Sequence, residues 1–274
     1  MLFFKFKILV ILISFLFCAP MLTFGMDFYW ESTQYGEQLV LSGEIKTGDG
    51  EKFRSFIKTN FEKYKTNRSI RLASNGGNLV EALKISAILR SIYPDIMVKG
   101  EKCASSCFFL YLSGVSRHAE ESSLIGIHRA FFDPAYFATL KPNDAKSKQA
   151  ELQKLMGAIL DENQVPQYLK EQLNRTSSAD IYWLSDDDIK NIGHMPAWFE
   201  ELLIAKCEYG KCMALMKKMF AAKDDDPEID LYPQAVANCF LFWSDCKTKM
   251  INKELSKMPK ILIDEGASKK PCNR

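Results

Sequence analysis

Between residues 38 and 128 the chain alternates short apolar runs with longer amphipathic ones, and this alternation limits the fold more than any other feature. Residues 38–45 (QLVLSGEI) change between apolar and polar at period two, which predicts a half-buried strand. After the turn at Gly48-Asp49-Gly50, Phe53, Phe56, Ile57, Phe61 and Tyr64 recur at helical spacing and predict a helix over 51–64. Residues 69–73 form the next strand. Asn75-Gly76-Gly77-Asn78 then leads into a helix over 79–92, closed by Pro94. Residues 96–98 and 124–128 read as further strands, with a helix over 103–114 between them. Strands separated by such helices pair in parallel, because a parallel pair needs a crossover connection. The expected class is α/β with a mainly parallel sheet.

The ends of the chain divide it further. Residues 1–25 have the pattern of an export signal: basic Lys5 and Lys7, an apolar run over 8–17, and the small-residue site Thr23-Phe24-Gly25. Cleavage there starts the mature protein near Met26. The alternative is a retained anchor, since apolar character continues to Phe24 apart from Pro20; an uncleaved signal is then the only expected contact with a membrane. Bulky Phe15, Leu16 and Phe17 make Cys18 a poor lipidation site. The 274 residues, 47% of them hydrophobic, suffice for one principal domain over 26–197 and a helical region over 198–274. Loss of Lys5 and Lys7 takes the net charge from +2 to 0, which favours neither nucleic acid nor an anionic membrane surface as a partner. Cysteines remain at 103, 107, 207, 212, 239, 246 and 272, a number that fits an oxidising compartment, periplasmic or extracellular.

The chemistry concentrates in residues 99–130. Ser105 and Ser106 stand at an expected helix start between Cys103 and Cys107, and His128 closes an apolar strand 23 residues after Ser105. A serine needs a base to act as a nucleophile at neutral pH, and helix-start N–H groups suit a developing oxyanion. That combination is a serine hydrolase site. The structural alternatives are an N-cap for Ser105 and a satisfied core histidine for His128. The Gly76-Gly77 pair lies at a strand-to-helix junction, where it serves either as a plain tight turn or as a place where backbone N–H groups meet a ligand. Cys103 and Cys107 have three residues between them, not the two of thioredoxin-like redox sites, so a structural disulfide that pins the serine turn is favoured over redox chemistry.

Strand-Asn-Gly-Gly-helix, then Ala104-Ser105 with Gly114 nine residues on, then Arg117 and Ser123-Leu124-Ile125-Gly126-Ile127-His128, resembles the Clp-type serine peptidases of the crotonase-like superfamily. The likeness covers residues 38–196 and is strongest to an exported branch with a Cys-x-Ser-x-Cys motif. It implies a ββα superhelix, Ser105 as nucleophile, His128 as general base, and an oxyanion hole from the N–H groups of the Gly76-Gly77 turn, chiefly Gly77, and of Ser106. It also suggests assembly into homo-oligomeric rings, which the C-terminal region could block. The family's orienting aspartate has no counterpart, because Thr176-Ser177-Ser178 stands at its place ahead of Trp183-Leu184-Ser185. Asp180 is the nearest acid, with Asp161, Asp133, a hydroxyl of Thr176 or Ser177, or a carbonyl as alternatives.

Residues 129–144 carry Phe131, Phe132, Tyr136 and Phe137, which either line a cleft or cap the core. Helices are expected over 145–160 and 165–173, the second with Pro166 in its first turn. Ser185-Asp186-Asp187-Asp188 reads as a helix start, not a calcium site. Two antiparallel helices over 199–219 and 232–255 carry Cys207 with Cys212 and Cys239 with Cys246, which crossed disulfides could join, leaving Cys272 over. No histidine pair has metal-ligand spacing, so neither metal nor cofactor is expected. The expected function is an exported serine hydrolase acting on peptides or protein segments. A catalytically inactive Clp-like protein that holds an extended peptide or protein partner is the alternative, ahead of a crotonase-type acyl-CoA enzyme.

Overall fold

A computed structural model describes residues 25–34, 36–131, 134–223 and 226–257. Most of the expected signal segment, Asp133, Phe132 and Cys272 lie outside the described residues. The chain is mixed α/β with mostly parallel strands.

Strands β1 (Asp27–Thr33) and β2 (Gly36–Ser42) form an antiparallel hairpin, and β2 continues in parallel to β3 (Ser69–Ala73), β4 (Asp95–Val98) and β6 (Ser116–Ala119) in the order β1-β2-β3-β4-β6. Residues 39–41 of β2 are all buried, because a strand inside a covered sheet is packed on both faces. The expected single helix over 51–64 is two, α1 (Asp49–Thr59) and α2 (Phe61–Thr66). Asn60 divides them: its amide donates to the Phe56 carbonyl at 2.9 Å and its Oδ1 accepts from Trp30 Nε1 at 3.3 Å. An asparagine that competes for backbone groups in this way ends a helix. Helix α3 (Leu79–Ile92) starts at the Asn78 cap, whose side chain accepts the Glu81 N–H at 3.2 Å, and ends at left-handed Tyr93 before Pro94.

The largest departure from expectation lies at the serines. Residues 102–104 are strand β5 (Lys102–Ala104), and the helix α4 (Cys107–Tyr111) begins only after Ser106. Strand pairing overrides local helix preference here, since Cys103 lies opposite Ile125 of β7 (Leu124–Ile127). A second sheet results, with β5 parallel to β7 and β7 antiparallel to β8 (Tyr182–Trp183). The chain beyond β3 joins it, as Ser74 donates to the Lys102 carbonyl at 2.8 Å and accepts from Ala104 N at 3.0 Å. Helices α5 (Pro134–Ala138), α6 (Pro142–Glu162) and α7 (Gln167–Arg175) follow β7, and α8 (Asp186–Ile192) follows β8. The Ser185 cap of α8 is a full capping box with Asp188.

Where one helix over 199–219 was expected, α9 (Ala197–Cys207) and α10 (Tyr209–Ala221) meet at left-handed Glu208. They pack on α11 (Tyr232–Leu255), and the disulfides are nested: Cys207 to Cys246 and, inside it, Cys212 to Cys239. The turn at Glu208 puts each cysteine of the first pair of helices opposite its own partner on α11. Phe199, Leu203, Cys207, Ile251 and Leu255 belong to the same hydrophobic core as the sheets. Lys247 reaches Asp95 at 3.2 Å, so these helices are also fastened to the start of β4.

Candidate active site

Ser105 and His128 leave the second sheet at the carboxyl ends of adjacent parallel strands. Ala104 is paired with Gly126, and the Ser105 N–H donates to the Gly126 carbonyl at 2.9 Å. Neighbouring strands lie about 4.8 Å apart, so Ser105 emerges beside Ile127, with His128 one residue further along the same strand direction. Both line one cleft of about 2190 Å³ together with Gly76 and Gly77.

Ser105 has φ 57°, a left-handed conformation that a residue with a Cβ rarely adopts. The strand stops at Ala104 and the helix starts at Cys107, so the reversal is confined to Ser105-Ser106. The disulfide between Cys103 and Cys107, with Cα atoms 5.2 Å apart, brackets this reversal. Both cysteines are fully buried, as the structural reading expects and a redox site would not favour.

The glycine turn packs directly on the serine turn. Ser106 Oγ donates to the Gly77 carbonyl at 3.2 Å, and Gly76 N–H donates to Ser74 Oγ at 3.1 Å. Gly76 (φ 90°) and Gly77 (φ 140°) both need glycine. A Cβ at Gly76 would lie 2.6 Å from the Ala104 carbonyl oxygen and 2.7 Å from Ser105 Cβ, and one at Gly77 would run into the Ile45 carbonyl. Ile45 holds the turn from the far side, donating to Gly76 O at 2.9 Å and accepting from Asn78 N at 2.8 Å. Among the described residues the N–H groups of Gly77 and Ser106 have no acceptor, whereas that of Gly76 is taken by Ser74. Of the three residues expected at an oxyanion hole, Gly77 and Ser106 therefore have donors free, and Gly76 supplies space.

His128 is oriented by the backbone. Its Nδ1 lies 2.9 Å from the Arg129 carbonyl oxygen, and because a carbonyl only accepts, Nδ1 carries the proton and Nε2 presents a lone pair. Arg129 is itself fixed, its N–H donating to the Thr176 carbonyl at 3.1 Å. Residues 176–178 thus contribute main chain, through the Thr176 carbonyl. The Thr176 hydroxyl donates to Gln172 O at 2.8 Å and Ser177 Oγ accepts from Ala179 N at 3.2 Å, so both are used locally. Asp180 is exposed, its N–H bonded to Ser177 O, and no hydrogen bond joins it to His128 among the described residues. Asp161 pairs with Lys170 on the surface. No side-chain signal marks a carbonyl, and the only sequence hint of Arg129 O was its position next to His128.

Of the apolar cleft lining, the part from Phe131 and Tyr136 was one of two expected options, whereas the part from α3 and α6 was not anticipated. Leu79 and Leu83 of α3 and Leu152, Leu155 and Ile159 of α6 line the same cleft, as do Phe131 and Tyr136, with the Phe131 ring centroid 6.3 Å from that of His128. Leu155 is 49% exposed and Phe131 58%, so this apolar lining is open to solvent. The helical spacing of 152, 155, 156, 159 and 160 was the available signal: three of those side chains are buried, while Leu152 and Leu155 remain in the cleft. Beneath the site, buried Arg117 donates to Asn163 Oδ1 at 2.7 Å and to the His194 carbonyl, tying β6 to the end of α6. Burial lowers its pKa to about 10 and raises that of neighbouring Tyr111 to about 12, so Arg117 stays charged and Tyr111 neutral at pH 7.

A scan of known protein families finds none that matches this chain, and a search of characterised proteins finds no similar one.

Proposed function

We propose that this protein is an exported serine hydrolase, Clp-like in fold and mechanism, that cleaves peptides or protein segments through an acyl-enzyme on Ser105. The observation that carries the reading is the left-handed conformation of Ser105 at the end of β5, beside the strand that His128 follows and in the same cleft as His128. Backbone strain at a nucleophile persists where surrounding structure enforces it, and here a disulfide and a glycine turn do so. The cleft exceeds the roughly 300 to 1,000 Å³ of a small-molecule pocket, which supports an extended polymer as substrate. Three disulfides support an oxidising compartment, and no described helix is long and apolar enough to cross a membrane.

In this reading the substrate carbonyl carbon lies against Ser105 Oγ and its oxygen against the N–H groups of Gly77 and Ser106. His128 Nε2 takes the serine proton as the C–O bond forms, then passes it to the leaving nitrogen as the C–N bond breaks. Water attacks the acyl-serine by the same route, returning the enzyme. The Arg129 carbonyl stabilises the imidazolium by a dipole alone, weaker than a carboxylate, so turnover is slow; loss of the acid from a triad costs about 10⁴ in kcat.

Fluorophosphonate labelling of the processed protein tests this. Label mapped to Ser105 and lost in Ser105→Ala is the expected result; label at Ser106, or unchanged hydrolysis in Ser105→Ala, overturns it. A peptide-binding protein without catalysis is the second reading, favoured by the lack of a Ser105–His128 hydrogen bond among the described residues. Peptide binding with no label at Ser105 selects it.

A further inference from the structure

Asp49, at the start of α1, is 4% exposed, and its carboxylate forms no ion pair among the described residues. Its Oδ2 accepts two backbone N–H groups, from Met26 at 2.9 Å and from Lys46 at 2.6 Å. Lys52 on the same helix turns elsewhere, to the Met26 carbonyl at 2.6 Å and to Asp27 at 3.7 Å. A buried carboxylate without a counter-ion is costly, and neutral donors compensate only in part. The chain holds a source for the missing charge. Met26 is the residue that the Thr23-Phe24-Gly25 pattern leaves first after signal cleavage. Gly25 lies across the other carboxylate oxygen, since a Cβ on it would come within 2.6 Å of Asp49 Oδ1.

We propose that hydrolysis of the Gly25–Met26 bond completes the fold, because Asp49 is a built receptor for the new α-ammonium group of Met26. An export-processing endopeptidase adds one water across the bond; Gly25 leaves as a carboxylate, and the Met26 amine takes a proton, its ordinary pKa being about 7.7 to 8.0. The ammonium has three donors where the amide has one, and departure of Gly25 opens Oδ1 to it. The Met26 side chain is fully buried and holds the terminus in place. A charge pair in a water-poor site then replaces one hydrogen bond from a neutral amide donor.

The pair also bears on the serine. The oxygen that would hold the ammonium also holds the Lys46 N–H, and the preceding residue, Ile45, carries both hydrogen bonds to the Gly76–Asn78 turn. Cleavage therefore tightens the support of the Gly77 donor. This last step rests on the hydrolase reading; the ion pair does not.

The test uses the disulfide-bonded protein with two termini: one beginning at Met26, and one beginning at Gly25, left by a tag-removing protease. The Met26 form is expected to melt about 2 to 4 °C higher, and its Ile45 and Asn78 amides to exchange at least tenfold more slowly. Asp49→Asn, which keeps an acceptor but no charge, should erase the difference. Equal melting of the two forms, a difference that survives Asp49→Asn, or a natural N-terminus mapped away from Met26 would overturn the proposal. Should Asp49→Asn not fold, the two termini decide alone. Fluorophosphonate labelling of the same samples separates the readings: slower labelling of the Gly25 form supports the link to the site, while no label in either form removes the hydrolase reading and leaves melting to judge the ion pair.

Discussion

His128 Nδ1 is bonded at 2.9 Å to the carbonyl oxygen of Arg129, the next residue in the chain. A main-chain acceptor fixes the tautomer that a general base needs without adding a negative charge. It also moves the orienting role beyond the reach of side-chain substitution.

Asp180→Asn should accordingly leave the rate of fluorophosphonate labelling within about twofold, since surface substitutions away from a site change little. His128→Ala should slow it about 10² to 10⁴-fold, the usual contribution of a general base. A large loss in Asp180→Asn would show that the carboxylate moves onto the imidazole when substrate binds.

The glycine turn is expected to tolerate no side chain. Gly76→Ala adds a Cβ 2.6 Å from the Ala104 carbonyl oxygen in a backbone conformation with φ 90°. The conformational strain alone is about 1 to 3 kcal/mol. Thermal melting should fall by several degrees and labelling at Ser105 by more than tenfold, because relief of the clash pushes the serine turn away. Wild-type labelling in a folded Gly76→Ala protein would show that the two turns are not coupled.

The disulfides should differ in what they stabilise. With the inner Cys212–Cys239 link intact, the loop closed by Cys207–Cys246 is only about 14 residues and contributes about 3 kcal/mol, against about 2 for Cys103–Cys107. Replacing both Cys103 and Cys107 by serine should therefore lower the melting temperature less than replacing Cys207 and Cys246, yet slow Ser105 labelling far more. Denaturant unfolding and labelling measured on both double variants check the contrast.

Asp188 gives a pH prediction. Burial raises its carboxyl pKa, but hydrogen bonds from Tyr168, from the Ser185 N–H and hydroxyl, and from Tyr182 outweigh this and lower it below the ordinary value of 3.8. A lowered folded-state pKa means stability that is present above the unfolded pKa and lost as pH falls through the folded one. Asp188→Asn should cost about 1 to 2 kcal/mol at pH 7, and the gap to wild type should narrow as pH falls below 3.8 through the lowered folded-state pKa. Tyr182 lies in β8 opposite Ile127, so the same variant loosens the strand beside His128. Urea unfolding at pH 7, 4 and 2.5 measures the effect.

By itself the sequence determined the elements whose signals are local. The helix α11 has the expected bounds, 232–255, because its apolar period is long and Pro233 sits in its first turn. The Ser185 cap, the glycine turn and the Cys103–Cys107 pair were legible for the same reason: each acts over a few neighbouring residues. What tertiary structure alone decided involves partners far apart in the chain. Residues 103–104 look helical until Cys103 meets Ile125, and the resulting second sheet is what brings Ser105 and His128 into one cleft. The orientation of His128 depends on the carbonyl of Arg129, held in turn by Thr176, and every residue type carries the same carbonyl. The break at Glu208 and the nesting of the two C-terminal disulfides depend on how α9 and α10 meet α11. Side-chain patterns report what a segment prefers, whereas backbone hydrogen bonds between distant segments have no residue code, so the packed chain alone selects them.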